Sequence, residues 1–361
     1  MKPFLIAALG LVLCGGWRAL QAGIFIPGKT PEITIKDGKA EAIPFDKFRL
    51  LFLDAQAIAM NKPSSARQSY QQERDKLITK GIDNLDEMEL GTLSGYLIRL
   101  RDEDKALELL RTAQKKYPRS FVIQSHLAFL YHLRNDPEAP RYQLEALQMR
   151  PKEIPGLQAD QTAWALRLDR LLLKLETERL RDQQEKGLRA SRQNLDTLFP
   201  AQLVGESGQY EAGKIAAAEQ EKLPADALAV AQQFVLWLPE DPQLYWLLGE
   251  IYNAQGDINA ASTMFNECVD ARGFRPELLR EHRRVVLDAV AAQKLAGIGN
   301  LNEGVAGSGK TTDKGSSWRE HPEAFVIVGS IVAVPLLFLV FWQIRLLVRR
   351  SGTDGECQTK T

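Results

Sequence analysis

Apolar residues recur at intervals of three and four through most of the chain, the spacing that gathers them on one face of an α-helix. The pattern is clearest in residues 242–275, where Gly256-Asp257 separates two predicted helices. Their apolar faces combine large and small residues: Tyr245, Leu248, Gly249 and Tyr252 in the first helix, and Ala261, Phe265 and Cys268 in the second. Because Gly249, Ala261 and Cys268 are small, we expect the two helices to pack closely, with Cys268 as a buried packing residue.

Two weaker helical pairs are predicted in residues 87–154. Arg101–Asp104 interrupts the first pair, and Asn135–Pro137 interrupts the second. In the second pair Pro140 should delay the start of the second helix, because proline is tolerated only in a helix's first turn. Ala225–Leu238 supplies a further helix directly before the pair at 242–275.

Other segments complete a helical chain. The pattern predicts a strand at Ile33–Ile35, helices at Phe45–Met60 and Asp160–Lys186, an irregular crossover at Ser191–Pro224 with a short helix near Ile215–Glu221, and a capping helix at Pro276–Ala296. Phe45–Met60 could cap the other end of the array. Beyond Leu175 the long helix becomes almost wholly charged, so its end is expected to project into solvent.

The spacing of Tyr245, Leu248, Gly249, Tyr252, Ala261 and Phe265 resembles the motif of the tetratricopeptide repeat (TPR). The resemblance extends more weakly to residues 87–154 and covers roughly 140 residues in all. It implies an all-α fold, an α-solenoid of stacked helical hairpins whose concave face binds an extended or helical peptide.

The resemblance also implies which side chains line that concave face. The corresponding positions are Arg99, Ser125, Phe129, His132, Trp246, Glu250 and Asn253. Phe129 and Trp246 would be apolar anchors, and the polar side chains would orient the ligand by hydrogen bonds. The alternative is that Phe129 and Trp246 pack against neighbouring repeats.

The first 22 residues have the features of a signal peptide. Lys2 supplies the positive start, and the apolar run Phe4–Gly16 is too short to span a bilayer comfortably. Leu20 is large for a position three residues before cleavage at Ala22, so an uncleaved N-terminal anchor stays open.

A second apolar segment, Ala324–Ile344, contains 21 residues without a charge and predicts a transmembrane helix over residues 324–348. Arg345, Arg349 and Arg350 follow it. Because basic residues resist translocation, they predict a cytoplasmic tail and an exported body.

Charge and cysteine content narrow the function classes. The chain has 46 basic and 46 acidic residues, so no overall field favours nucleic acid. Of three cysteines only Cys268 lies between the two predicted membrane-targeting segments, so it has no disulfide partner there. Four scattered histidines show no zinc-ligand spacing. We therefore expect no metal, no cofactor and no enzymatic activity.

Residues Gly304–Thr311 match the phosphate-binding pattern G-x-x-x-x-G-K-T. Such a loop must follow a buried strand and open a helix. The preceding Leu295–Leu301 is interrupted by glycine, and Thr312–Ser317 is a poor helix former. The segment is therefore interpreted as a flexible linker.

Together these patterns divide the chain as follows: signal peptide 1–22, N-terminal helical segment 23–86, repeat-like pairs 87–154, long helix and crossover 155–224, last repeat with capping helix 225–296, linker 297–323, transmembrane helix 324–348 and cytoplasmic tail 349–361. The predicted function is a membrane-tethered scaffold or assembly factor that binds other proteins or peptides. The alternatives are a membrane-bound nucleotide hydrolase that uses Gly304–Thr311, and a purely structural homo-oligomer.

Overall fold

The computed structural model describes residues 26, 33–36, 38–154 and 157–306. The described chain is mostly helical, which confirms the predicted all-α class. Its only sheet is the hairpin of β1 (Thr34–Lys36) and β2 (Lys39–Glu41), with Thr34 opposite Glu41. The predicted signal peptide, transmembrane helix and cytoplasmic tail lie outside these residues.

The described α-helices are, in order, α1 Phe45–Ala59, α2 Ser65–Lys80, α3 Glu87–Arg99, α4 Glu103–Lys116, α5 Phe121–Leu133, α6 Ala139–Gln148, α7 Ala159–Lys186, α8 Leu188–Ser191, α9 Ala217–Gln220, α10 Ala227–Trp237, α11 Pro242–Ala254, α12 Ile258–Asn266 and α13 Glu277–Ala306. A 3-10 turn at Ile82–Asn84 precedes α3, and a π-helical turn at Glu267–Ala271 extends α12. In the described part of the chain, no helix has both the length and the apolar character needed to cross a membrane.

Helices α1, α3, α5 and α11 end in the same type of turn. In each, the second residue after the helix has a left-handed backbone: Asn61, Arg101, Asn135 and Gly256, with φ of 56°, 66°, 51° and 86°. The next amide then bonds back to a carbonyl five residues earlier, as Asp102 N does to Leu97 O at 2.9 Å and Asp136 N to Tyr131 O at 3.0 Å. This helix ending, closed by backbone hydrogen bonds, satisfies the last carbonyl groups of the helix and reverses the chain into the following helix.

The helices that these turns connect pack against each other: α3 against α4, α5 against α6, and α11 against α12. The small residues Ser94, Ala128 and Gly249 lie in α3, α5 and α11, and the first two are fully buried. At Gly249 an added Cβ would stand 2.5 Å from Phe265 Cε1 of α12, so only glycine permits this approach. Pro140 lies in the first turn of α6, as the sequence predicts.

Helix α1 packs against α2 and α10, and its aromatic side chains reach α11. The rings of Phe52 and Tyr245 lie 5.1 Å apart, edge to face. The Gln232 side chain of α10 accepts a hydrogen bond from Ile43 N at 2.7 Å and donates one to Ile43 O at 2.8 Å. The sequence predicts α1 as a cap at the N-terminal end of the array; in the structure α1 packs against α2 and also against the later helices α10 and α11.

The end of α7 is exposed, as the sequence predicts: Arg181 and residues 183–186 are exposed and Asp182 is half-buried. Nearer to Leu175 the helix is more buried than expected, since Glu176 is only 5% exposed. Helix α13 continues to Ala306, into the range 297–323 that was predicted to be a linker.

Candidate functional site

A cleft of about 450 Å³ opens between the end of α5, the start of α6, the second half of α7 and the start of α11. Its lining is rich in ionisable side chains: Arg101, His132, Glu176, Arg179, Glu240 and Asp241. A concave site of this volume is within the range of about 300–1,000 Å³ that ligand pockets occupy. It is therefore the candidate site for a ligand.

The helices fix the directions of these side chains. Glu176, Arg179 and Gln183 recur at intervals of three and four, so they share one face of α7 and point into the cleft. The turns that end α3 and α5 bring Arg101 and Asn135 to the lining of the cleft. Because these groups stand on helices and tight turns, their positions are set before any ligand binds.

Arg179, on the face of α7 that lines the cleft, binds two carboxylates. Its guanidinium donates to Asp196 and to Asp241, each at 2.5 Å. Burial disfavours the charged guanidinium, but the two carboxylates outweigh it and raise the pKa of Arg179. Asp241 also caps α11 by accepting a hydrogen bond from Gln243 N at 3.0 Å. Arg179 thus ties α7 to the 194–198 segment and to the start of α11.

Arg101 also lines the cleft. It forms an ion pair with Glu240 and a longer one, at 3.4 Å, with Glu103. Desolvation by burial lowers the pKa of Arg101, and Glu103 opposes that shift. The Arg101–Glu240 pair joins the turn after α3 to the loop before α11.

Glu176 is the most buried charged group of the cleft, with 2% of its side chain exposed. The His132 Nδ1 atom lies 3.1 Å from Glu176 Oε1. Neither carboxylate oxygen accepts a hydrogen bond from the described residues. Asp169 lies seven positions earlier on α7. Desolvation by burial and repulsion from Glu176 raise its pKa to about 7, and a hydrogen bond from Gln143 opposes this shift.

Of the seven predicted groove residues, Trp246, Glu250 and Asn253 are covered by the chain itself. Trp246 and Glu250 have no exposed area, and Trp246 Nε1 donates to Glu250 Oε1 at 2.6 Å. His282 Nδ1 of α13 lies 2.7 Å from the same oxygen, and the Tyr210 ring stacks on His282 with centroids 3.6 Å apart. These side chains pack inside the protein rather than lining an open groove.

Asn253 binds the backbone of the crossover segment. Its Nδ2 donates to Glu211 O at 2.9 Å, and its Oδ1 accepts from Gly213 N at 2.7 Å. Gly213 has a φ of 69°, a left-handed backbone that favours glycine. The crossover therefore occupies the face of α11 that the sequence assigns to a peptide ligand.

The other four predicted groove residues lie apart from that cluster. Arg99 and Phe129 are buried and line a small cavity of about 30 Å³, where the Phe129 ring meets Trp237 edge to face at 6.5 Å. Ser125 is half-buried and donates to Val122 O of its own helix. His132 alone among the seven lines the 450 Å³ cleft.

The predicted packing residues of the last helical pair lie in the core. Tyr245, Leu248, Ala261, Phe265 and Cys268 have no exposed area, Tyr252 is 3% exposed, and Gly249 is buried as well. Burial raises the pKa of the Cys268 thiol, with Arg272 opposing the shift. A neutral, buried thiol is a poor nucleophile.

The sequence does not single out Glu176 and Arg179, because charged positions beyond Leu175 predict a solvated helix face. The signal was present: Leu168, Leu172 and Glu176 recur every four residues, so a carboxylate continues the apolar stripe. No group of three or more His, Cys, Asp or Glu side chains within the described residues could hold a metal ion.

The chain matches no protein-family model and no curated protein. Its function is therefore inferred from the helices and the cleft described above.

Proposed function

We propose that the protein is an exported, membrane-tethered helical-repeat protein of the TPR type that binds a segment of another protein in the 450 Å³ cleft. The observation that carries the proposal is the cleft itself, whose walls are rigid helices from both halves of the described chain. The predicted signal peptide and transmembrane helix would hold this body outside the membrane.

The spacing of equivalent features supports a repeat of 34 residues. Helices α3 and α5 begin at Glu87 and Phe121, 34 positions apart. The left-handed residues Arg101 and Asn135 have the same separation, as do the buried Ser94 and Ala128. Stacked helical hairpins require that each repeat has the same length, the same turn between its helices and a small residue where the helices pack.

The polar character of the cleft supports a protein segment as the ligand. Several fixed charges lie along its walls, among them Arg101, Glu176 and Arg179. Such groups can bind the charged side chains and the backbone of a peptide and so select one partner. The face of α11 around Asn253, which the crossover fills, is not part of this proposal.

The nucleotide-hydrolase alternative is not adopted. Phosphate-binding loops follow a strand and precede a helix. Here α13 runs from Glu277 to Ala306, so a helix leads into the motif and includes its first three residues.

Site-specific photo-crosslinking in native membranes tests the proposal. Gln183 is exposed and lines the cleft, whereas Arg170 is exposed on the same helix outside it. A photo-reactive amino acid at Gln183 is expected to give a discrete adduct with another protein, and the same amino acid at Arg170 is not. Equal adducts from both positions, or none from either, would overturn the proposed use of the cleft. An adduct between two copies of this chain would favour the homo-oligomer instead.

A further inference from the structure

The carboxyl group of Glu176 is buried, and its hydrogen-bonding capacity is unused. The residue is 5% exposed, and neither oxygen accepts a hydrogen bond from the described residues. A buried carboxylate without donors costs free energy, and a group that supplies those donors recovers it. Because Glu176 lines the cleft, a ligand bound there can be that group.

Two arginines that line the cleft are already paired with other carboxylates. Arg179 donates to Asp196 and Asp241. Arg101 is paired with Glu240 and Glu103. If either arginine moved to pair with Glu176, another carboxylate would lose its cation, so the exchange would not lower the free energy of the folded protein.

His132 lies beside Glu176 without completing its hydrogen bonds. The Nδ1 atom is 3.1 Å from Oε1, within ion-pair distance, while the described residues give neither carboxylate oxygen a hydrogen-bond donor of suitable geometry. The imidazole side chain is 14% exposed, so it borders the open part of the cleft. His132 therefore lies next to the space beside Glu176 that a ligand group would occupy.

We propose that the cleft binds a lysine or arginine side chain of the partner and that Glu176 accepts its hydrogen bonds. An ammonium group has three donors and a guanidinium five, and a carboxylate is the acceptor that both pair with most strongly. A cleft of about 450 Å³ admits such a side chain together with adjoining backbone. This inference deepens the proposed function and rests on it.

The test selects ligands without assuming a partner. Random twelve-residue peptides displayed on phage are selected on the full-length protein in mild detergent. Each enriched peptide is then synthesised twice, once with its basic residue and once with norleucine, an uncharged side chain of similar length, in that position. For the wild-type protein we expect the norleucine peptide to bind at least tenfold more weakly.

Two variants test whether Glu176 causes the difference in affinity between the basic peptide and the norleucine peptide. Glu176→Gln keeps the shape of the side chain and removes its charge, and it is expected to reduce the tenfold ratio to near one. Glu176→Asp keeps the charge and is expected to retain a preference for the basic peptide. Glu185→Gln, an exposed position on the same helix, is the matched control and should leave the ratio unchanged. Thermal unfolding of each variant checks that it is folded.

The outcomes separate this inference from the proposed function. Peptides that bind the cleft but lack a needed basic residue, or a tenfold ratio that persists in Glu176→Gln, would overturn the inference and leave protein binding intact. A selection that gives no peptide competing with the Gln183 crosslink would overturn both.

Discussion

Gly249 shows how one missing side chain sets the distance between two helices. Its position on α11 faces Phe265 of α12 so closely that a Cβ would also stand 3.3 Å from Met264 Cβ. The aromatic ring is fully buried, so it has no free volume into which to move. The identity of this residue therefore limits how tightly the last helical pair can pack.

We expect Gly249→Ala to destabilise the protein by about 1–3 kcal/mol, because the cost of overpacking exceeds the gain in helix propensity. Urea unfolding followed by circular dichroism measures the change. Gln184→Ala, at an exposed position of α7, is the control and should change stability by less than about 0.5 kcal/mol.

A second variant checks the cause of that loss. If the ring of Phe265 is the obstacle, Phe265→Leu should cost less in the Gly249→Ala background than in the wild type. Additive effects of the two substitutions, or a Gly249→Ala protein as stable as the wild type, would contradict the proposed clash.

At the level of elements, α7 is held to its neighbours by charge as well as by apolar contacts. Leu168, Leu172 and Leu175 are buried, and the same face continues with Arg179, which reaches two acidic residues on different segments. Asp241 caps α11 while it pairs with Arg179, so the start of α11 depends on α7. One guanidinium thus joins three parts of the chain.

We expect Arg179→Met to cost about 3–5 kcal/mol, because it leaves Asp196, whose side chain is 4% exposed, without its cation. The loss should be largest above the pH at which that carboxylate ionises. Urea unfolding measures the free energy, and hydrogen exchange at Gln243 N reports the capping of α11. Arg181→Met, at an exposed position on the same helix, is the control. A loss equal to the control's would contradict this role of Arg179.

At the scale of the whole molecule, local patterns predicted most of the long helices, though not α2 as a separate helix, and failed to predict their long-range partners. The predicted Phe45–Met60 and Asp160–Lys186 agree with α1 and α7 to within one residue at each end, because apolar periodicity is a local property. The pairing of Gln232 with Ile43 joins residues 189 positions apart, and nothing in either local sequence indicates the other.

The same limit applies to the candidate site. Trp246 and Glu250 have the spacing of exposed groove residues, but Tyr210 and His282 come from distant segments to cover them. His132 was selected for the right face of its helix, whereas Glu176 was discounted as a solvated charge. A helix pattern identifies a face and does not identify what packs on it.

The predicted topology can be tested with the protein's own cysteines. A Cys14→Ser variant in right-side-out membrane vesicles should not react with a membrane-impermeant maleimide at Cys357 until the vesicles are opened, because the tail is predicted to be cytoplasmic. Cys268 is buried and should stay unlabelled in the folded protein. A cysteine introduced at the exposed Gln184 should react in closed vesicles and is the control. Labelling of Cys357 in closed vesicles would contradict the predicted orientation.

The contact between α1 and the last helices has a consequence for biosynthesis. Phe48 and Phe52 are buried, and the ring of Phe52 contacts that of Tyr245. Tyr245 lies 193 residues after Phe52, so it is translated 193 codons later. At about 5–20 residues per second, a ribosome needs on the order of 10–40 s to reach that codon. During this interval the part of the apolar face that packs on α11 has no native partner, so a nascent or translocating chain would expose it to chaperones. Any premature stop before α11 would leave that part exposed permanently.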